Sequence, residues 1–538
     1  MMPRQTIPAL VLSLGLLALS PTGRAGSDRA ADEEAPKAAA TTNTAAPVPQ
    51  ATTAKAETPG ITFGLEERIR FEGYNNTDFN DVKHDRLNQL RMRTRPSVDI
   101  NFNKYFEGYF MLGWEGVKRY SDPSFPLTSG GETGSPFMAG ELWVSNAYIK
   151  VKQFPGLENL SLQAGRFNIV KGDGWLFSDP SAVDGSRDGY DNAFDFAYRH
   201  GRSRFELIGV DNPAYDEFFP TVNKTPIADA ANPANSGAIK NAIPASAQAG
   251  KQLQEWNQTA LGIYYTNREF RNTDLDAYGF FDKDYGDIRK PTSYLYQPDR
   301  RYFLFGGRIV QRVKSLPGVT VTAEFAYEAG AENSMSAAPN FDLRAWGGFA
   351  YLRKSFRVKF SPYIIGGYWA LSGQKANSRT DTEFEPMLER TFNTSLNTDA
   401  PSWSEFYAFS YGYEIGTYYW TNLKMPQVEG GFSPAKRATI VVGYADMNAM
   451  QPFAVNPFHA AGSVQPAVAP AGVFGSGLNR GQLVKTKVIY KLTPNVQGYL
   501  SGEKFFPGDF YVPQRPGLWF RADITYKFKG FVPFHKGE

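Results

Sequence analysis

Residues 89–104 read QLRMRTRPSVDINFNK. Every second residue gives Gln89, Arg91, Arg93, Arg95, Ser97, Asp99, Asn101 and Asn103, an unbroken polar file. The other phase, Leu90, Met92, Thr94, Pro96, Val98, Ile100 and Phe102, is mostly apolar. A β-strand turns alternate side chains to opposite faces, so the segment reads as a strand with one wet, arginine-lined face and one greasy face.

The pattern recurs along the chain. Thr320, Thr322, Glu324, Ala326 and Glu328 alternate with Val319, Val321, Ala323, Phe325 and Tyr327. Near the C-terminal end Arg521, Asp523, Thr525 and Lys527 alternate with Phe520, Ala522, Ile524, Tyr526 and Phe528. Charges on one phase and aromatics on the other, in strands about ten residues long, is the pattern of a transmembrane β-barrel with a polar lumen. The expected fold is all-β, an antiparallel up-and-down barrel.

The bulk numbers agree. A chain of 538 residues is long for one domain, yet a large barrel is one domain at that length. Fifty-seven basic residues against 54 acidic ones leave a net charge of +3, which gives no reason to expect nucleic-acid binding. The 29 Tyr and 41 Phe suit aromatic girdles at two membrane interfaces. There is no Cys, which excludes thiolate metal sites and covalently attached c-type haem. The four His (His84, His200, His459, His535) are scattered without ligand spacing, so neither metal nor cofactor is expected.

Arg4, the apolar run Ile7 to Ser20 and the Gly23-Arg24-Ala25 site read as an export signal over residues 1–25. The apolar run is too short to span a bilayer, and no other segment approaches 18 apolar residues. Only helices and closed barrels satisfy their backbone in lipid, so an exported chain of this kind belongs in a bacterial outer membrane. Residues 26–60 are rich in Ala, Thr, Pro and charge, and their composition predicts a disordered periplasmic tether. The barrel is expected over 61–538.

Short polar or turn-forming connections at Asn103-Lys104, Pro155-Gly156, His200-Gly201, Pro317-Gly318, Ser355-Phe356 and Pro494-Asn495 alternate with long ones. The long ones fall near 119–140, 168–190, 213–254, 282–300, 329–343, 373–410 and 448–480. Short turns on one side and long loops on the other is the outer-membrane asymmetry. Strand centres fall near 67, 95, 110, 147, 162, 195, 207, 260, 275, 306, 323, 348, 365, 416, 442, 487, 500 and 523. That makes about 18 strands, or 16 if the weak run around Leu275–Phe281 is discounted. Barrels of this size enclose an aqueous channel.

The inward phase of the first strand is Glu66, Arg68, Arg70 and Glu72, beside Arg91, Arg93, Arg95 and Asp99 of the second. Arginine stays charged and grips a carboxylate through a planar fork, so such a lumen favours carboxylate anions. Glu107, Glu115, Glu324, Glu328 and Asp523 would orient the arginines. Lumenal charges also serve simply to hydrate a pore and set a transverse field. No nucleophile elbow, phosphate loop or paired carboxylates of a hydrolase appear, and the chain does not read as an enzyme. Asp173, Asp179, Asp184, Asp188 and Asp191 crowd one loop without the spacing of a Ca²⁺ loop, and read as caps and polar latches.

Leu162 to Arg187, LQAGRFNIVKGDGWLFSDPSAVDGSR, resembles the alginate export family of outer-membrane barrels in Gly165-Arg166, Gly172-Asp173 and Asp184-Gly185-Ser186-Arg187. Tyr368 to Gly373 followed by Phe384-Glu385-Pro386 is similar to that family's strand ending in Ser-Gly and its folded-in loop. Tyr490-Lys491-Leu492 and Phe505-Phe506-Pro507-Gly508 resemble its closing hairpin. The resemblance spans roughly residues 61–528. It implies a monomeric 18-stranded barrel with an arginine-rich constriction, with Arg166 and Arg187 lumenal and Asp184 their partner. Phe167 departs from the polar residue usual after Gly-Arg, and the 26–60 segment is an addition.

The sequence therefore predicts an outer-membrane channel for anionic, carboxylate-bearing oligo- or polysaccharide, surrounded by lipid and fed by a periplasmic protein. The alternatives are a general diffusion porin and a barrel sheath around a partner such as a cytochrome.

Overall fold

The alternating runs pair into one sheet. The computed structural model describes residues 58–76, 87–119, 138–177, 191–213, 218–219, 257–285, 299–333, 341–375, 378–384, 387, 421–452, 475–512 and 514–534. Its strands are β1 (Gly60–Asn75), β2 (Leu87–Asn101), β3 (Phe106–Arg119), β4 (Met138–Val151), β5 (Leu160–Phe167), β6 (Asp191–His200), β7 (Ser203–Asn212), β8 (Asn257–Asn267), β9 (Thr273–Tyr285) and β10 (Asp299–Arg312). They continue with β11 (Val319–Asn333), β12 (Phe341–Ser355), β13 (Tyr363–Leu371), β14 (Thr380–Asp381), β15 (Leu423–Ala435), β16 (Ala438–Asn448), β17 (Asn479–Lys491), β18 (Val496–Pro507) and β19 (Gly517–Pro533).

Each wall strand pairs antiparallel with its neighbours in sequence, and β1 pairs with β19 from Gly60↔Pro533 to Asn75↔Leu518. The ring closes without an edge. Two-residue β14 lies outside the ring order, parallel to β12, and β13 pairs directly with β15 across it. Eighteen strands therefore form the wall of an up-and-down barrel. The ninth, the weakest in sequence, is present as β9, so the eighteen-strand reading holds and the sixteen-strand one does not.

The alternation decides which face is which. Outward positions are apolar and exposed: Ile149, Phe303, Leu500 and Ile263 are among the most exposed large side chains. Across neighbouring strands the outer aromatics pair as Phe281–Phe303, Phe305–Tyr327 and Phe325–Trp346. The opposite phase carries buried charge, including Arg68, Arg70, Arg93, Arg300 and Glu328. A closed sheet that is apolar outside and charged inside is stable in lipid and nowhere else. This is an outer-membrane barrel.

Eight connections are short, 102–105, 152–159, 201–202, 268–272, 313–318, 356–362, 436–437 and 492–495. Of the nine on the other side all but 334–340 are longer, and two of them, 76–86 and 508–516, escaped the sequence reading, as did the turns 268–272 and 436–437. The strand expected near residue 416 lies outside the described residues, and the wall strand of that region is β15, beginning at Leu423. The export signal and nearly all of the expected tether also lie outside them, and the 26–60 boundary falls at the first residue of β1.

Candidate functional site

The interior carries two charged walls. On the first, the register sets Arg68 opposite Arg93 and Arg70 opposite Arg91 across β1 and β2. Like charges directly opposite destabilise a sheet unless something offsets them. Carboxylates do so here. Glu66 Oε1 lies 2.9 Å from Arg93 and 2.5 Å from Arg95, and its Oε2 lies 3.2 Å from Lys527 Nζ. Arg91 reaches Glu115 at 2.6 Å and Glu72 at 3.7 Å, while Arg68 approaches Glu115 at 3.9 Å. Arg70 contacts Asp523 at 3.2 Å and Glu72 at 3.5 Å, and Arg521 contacts Asp523 at 2.9 Å. Gln89 donates to Glu72 at 2.7 Å. Within this network seven basic side chains share four carboxylates.

The second wall is acidic. Asp276, Asp282 and Asp284 on β9 and Glu324, Glu328 and Glu332 on β11 are all buried and flank Arg300 and Arg308 of β10. Arg300 meets Asp284 at 2.7 Å, and Gln258 donates to Asp282 at 2.8 Å. In an eighteen-strand ring β10 stands nine strands from β1 in either direction, so the acidic wall faces the basic one. Low-dielectric walls of opposite sign focus a field across the lumen.

The connection after β5 is docked against the second wall. Asp173 Oδ1 accepts from Arg308 at 2.7 Å and its Oδ2 from the Tyr351 hydroxyl at 2.6 Å. Gly172, at φ 59°, passes so close that a Cβ would lie 3.2 Å from the Arg308 side chain and 3.1 Å from Glu324. Only glycine takes that backbone shape freely. Trp175 packs on Phe349, Trp369 and Phe384, and Phe177 on Tyr264, Tyr278 and Phe280. Lys171 Nζ meets Glu206 at 2.6 Å. Phe384 is wholly buried, its N–H donating to the Ser372 carbonyl at 3.1 Å, so the segment after β13 also folds in, as its sequence suggested.

Of the expected site residues, Arg68, Arg70, Arg91, Arg93 and Arg95 come together on the basic wall, and Asp99 follows on the same phase of β2, opposite Tyr109. Arg166 stands apart. Its guanidinium is fully buried, donating to the Val144 carbonyl at 2.8 Å and to Asn192 Oδ1 at 2.9 Å, with Phe219 stacked 4.4 Å away. It ties β4, β5 and β6 together where Gly165, at φ 127°, breaks the strand's regularity. Asp184, Arg187, Glu385 and Pro386 lie outside the described residues. The acidic β9 residues and the Trp175 anchor were missed. The triplet Trp175-Leu176-Phe177, apolar inside a polar loop, was the available signal. Among the described residues no three His, Cys, Asp or Glu are placed to hold a metal ion.

No family model matches the chain, so the alginate-export resemblance rests on the quoted motifs alone. No curated protein matches it either. Among solved structures it is similar to OpdK of Pseudomonas aeruginosa bound to vanillate, at 10% identity, covering 87% of this chain and 99% of that one, with a TM-score of 0.48. Acinetobacter baumannii OccAB4 matches at 12% identity over 88% and 99% of the two chains, TM-score 0.48. OccAB2 of the same organism matches at 9% identity over 87% and 98%, TM-score 0.49. Likeness of this degree carries no argument about substrate or residues, and the fold is read from the strand pairing itself.

Proposed function

We propose that this barrel is an outer-membrane channel selective for anionic, carboxylate-bearing saccharides, with Arg68, Arg70, Arg91, Arg93 and Arg95 as the wall they pass. The observation that carries the reading is the direct opposition of Arg68 with Arg93 and Arg70 with Arg91. That opposition gathers seven cations over four carboxylates, and the net positive wall this leaves attracts a passing carboxylate. Glu66, Glu72 and Glu115 hold the forks in place and keep an anion from binding too tightly to leave. Export of an alginate-like polyuronate is the narrowest form of this proposal.

The test is single-channel recording of the purified protein in a salt gradient, with oligouronates and neutral maltodextrins added in turn. Anion selectivity with blockade by uronates alone, both reduced in Arg91→Ala and Arg93→Ala, is the expected result. Unaltered ion selectivity in those variants would overturn it. The acidic wall on β9 and β11 favours a second reading, a general diffusion porin whose charges only set a transverse field. That reading predicts weak selectivity and no blockade by either sugar.

A further inference from the structure

Charge is also divided along the barrel axis. The eight short turns carry ten Lys or Arg against two acids, Glu158 and Glu269. The nine connections at the other end carry thirteen basic residues against twenty-two acidic ones in sequence. Short turns lie on the periplasmic side of such barrels, so the periplasmic rim is basic. Not all of that charge is available, since Arg268 is held by Asp276 at 2.7 Å.

The cations concentrate in one arc. The turns 313–318, 356–362 and 436–437, which join β10 to β11, β12 to β13 and β15 to β16, hold Lys314, Arg357, Lys359, Lys436 and Arg437, all exposed, and no acid. The same turns expose Leu316, Phe356, Val358 and Phe360. Lys354 lies over the Phe356 ring at 5.6 Å and Lys359 over the Phe360 ring at 4.9 Å. Phe360 and Ser361 both have positive φ, 71° and 43°. A bulky aromatic rarely takes that shape, and here it holds a large apolar side chain out at the rim. In water, exposed Phe and Val beside crowded cations are doubly unfavourable. At a leaflet boundary both are satisfied, the apolar side chains by acyl chains and the cations by phosphates.

We propose that the periplasmic turns from β10 to β16 form a docking surface for anionic phospholipid headgroups of the leaflet that faces the periplasm. Charge complementarity and the interleaved apolar side chains select lipid over a soluble acidic protein, which would offer the carboxylates but no acyl phase. The inference does not depend on which solute the channel passes.

The full chain is reconstituted in phosphatidylcholine bilayers, and the fraction of spin-labelled phosphatidylglycerol immobilised at its perimeter is compared with that of spin-labelled phosphatidylcholine. Phosphatidylglycerol is expected to associate at least about fivefold more strongly, the size of a single Lys or Arg contact with an anionic surface, and less so as salt is raised. The variant Lys314→Glu/Arg357→Glu/Lys359→Glu/Lys436→Glu/Arg437→Glu is expected to abolish the preference. Should that variant not fold, Lys436→Gln/Arg437→Gln is expected to lower it in part. Equal association of the two lipids with the native protein overturns the proposal, as does a preference that the variants leave unchanged. Binding of soluble polyglutamate without any lipid preference also overturns it and assigns the arc to an acidic protein.

Discussion

Asp173, on the connection after β5, sets Oδ1 2.7 Å from Nη2 of Arg308 on β10, 135 residues away in sequence. Asp173 is buried and Arg308 partly so, and Tyr351 donates to the second carboxylate oxygen. The ion pair fastens a connecting segment to the acidic wall. Removing Asp173 leaves Arg308 with Asp276 at 3.5 Å and Glu324 at 3.9 Å but takes the acceptor from the buried Tyr351 hydroxyl, a cost of about 1–3 kcal/mol. Asp173→Ala is therefore expected to release the segment. Planar-bilayer recording should show a larger and noisier conductance than in the native channel, and the unfolding midpoint should fall. An unchanged conductance would mean that the segment does not restrict the lumen.

Trp175 anchors the same segment through three aromatic neighbours. Its truncation to Ala is expected to cost about 3–5 kcal/mol, as for other buried large aromatics. Because Trp175 and Asp173 hold one element, the double variant should lose less than the sum of the two single losses. Additive losses in urea unfolding of the three variants would show that the two anchors act on separate parts.

The wall strands were legible in sequence because a two-residue period is local, and Arg91, Arg93 and Arg95 announce their shared face within five residues. β15 was not. Its LKMPQVEGGFSPA run contains Pro426, Gly430 and Gly431, poor strand formers, and only pairing with β13 and β16 makes it a strand. The aromatic run upstream of it drew the expectation to residue 416 instead. Opposed arginines, an acidic wall nine strands away and a loop docked on it depend on register and ring closure, which no window of sequence contains. Arg166 could be singled out from its motif but not its partners, since Val144, Asn192 and Phe219 come from three separate segments.

Glu72 touches Arg70, Arg91 and Gln89, so it neutralises part of the basic wall. Glu72→Gln keeps the shape and removes the charge. Reversal potentials in a salt gradient should shift toward stronger anion selectivity. Asp276→Asn on the facing wall, which removes the carboxylate paired with Arg268 and Arg308, should shift them the same way, because either change makes the lumen more positive. A shift toward cations in either variant would contradict a lumen governed by these two walls.

One carboxylate breaks the outward phase of β1. Glu67 stands between Leu65 and Ile69, which are exposed on the lipid face, and accepts a 2.5 Å hydrogen bond from the Thr94 hydroxyl on β2. On β19 its register partner is Tyr526, also exposed. A charged side chain toward lipid destabilises a barrel, less for acids than for bases and most near the middle of the strand. Glu67 is eight residues into the sixteen of β1. Replacing it with Leu is expected to stabilise the barrel by about 1 kcal/mol, the lower end of that lipid-face cost. Thr94→Val should do the opposite by a similar amount, since it leaves the carboxylate without its donor. The two effects are linked: once Glu67 is Leu, the loss from Thr94→Val should vanish. Unfolding of the four proteins in lipid vesicles measures the cycle. A Glu67→Leu variant less stable than the native barrel would mean that something other than lipid meets this face.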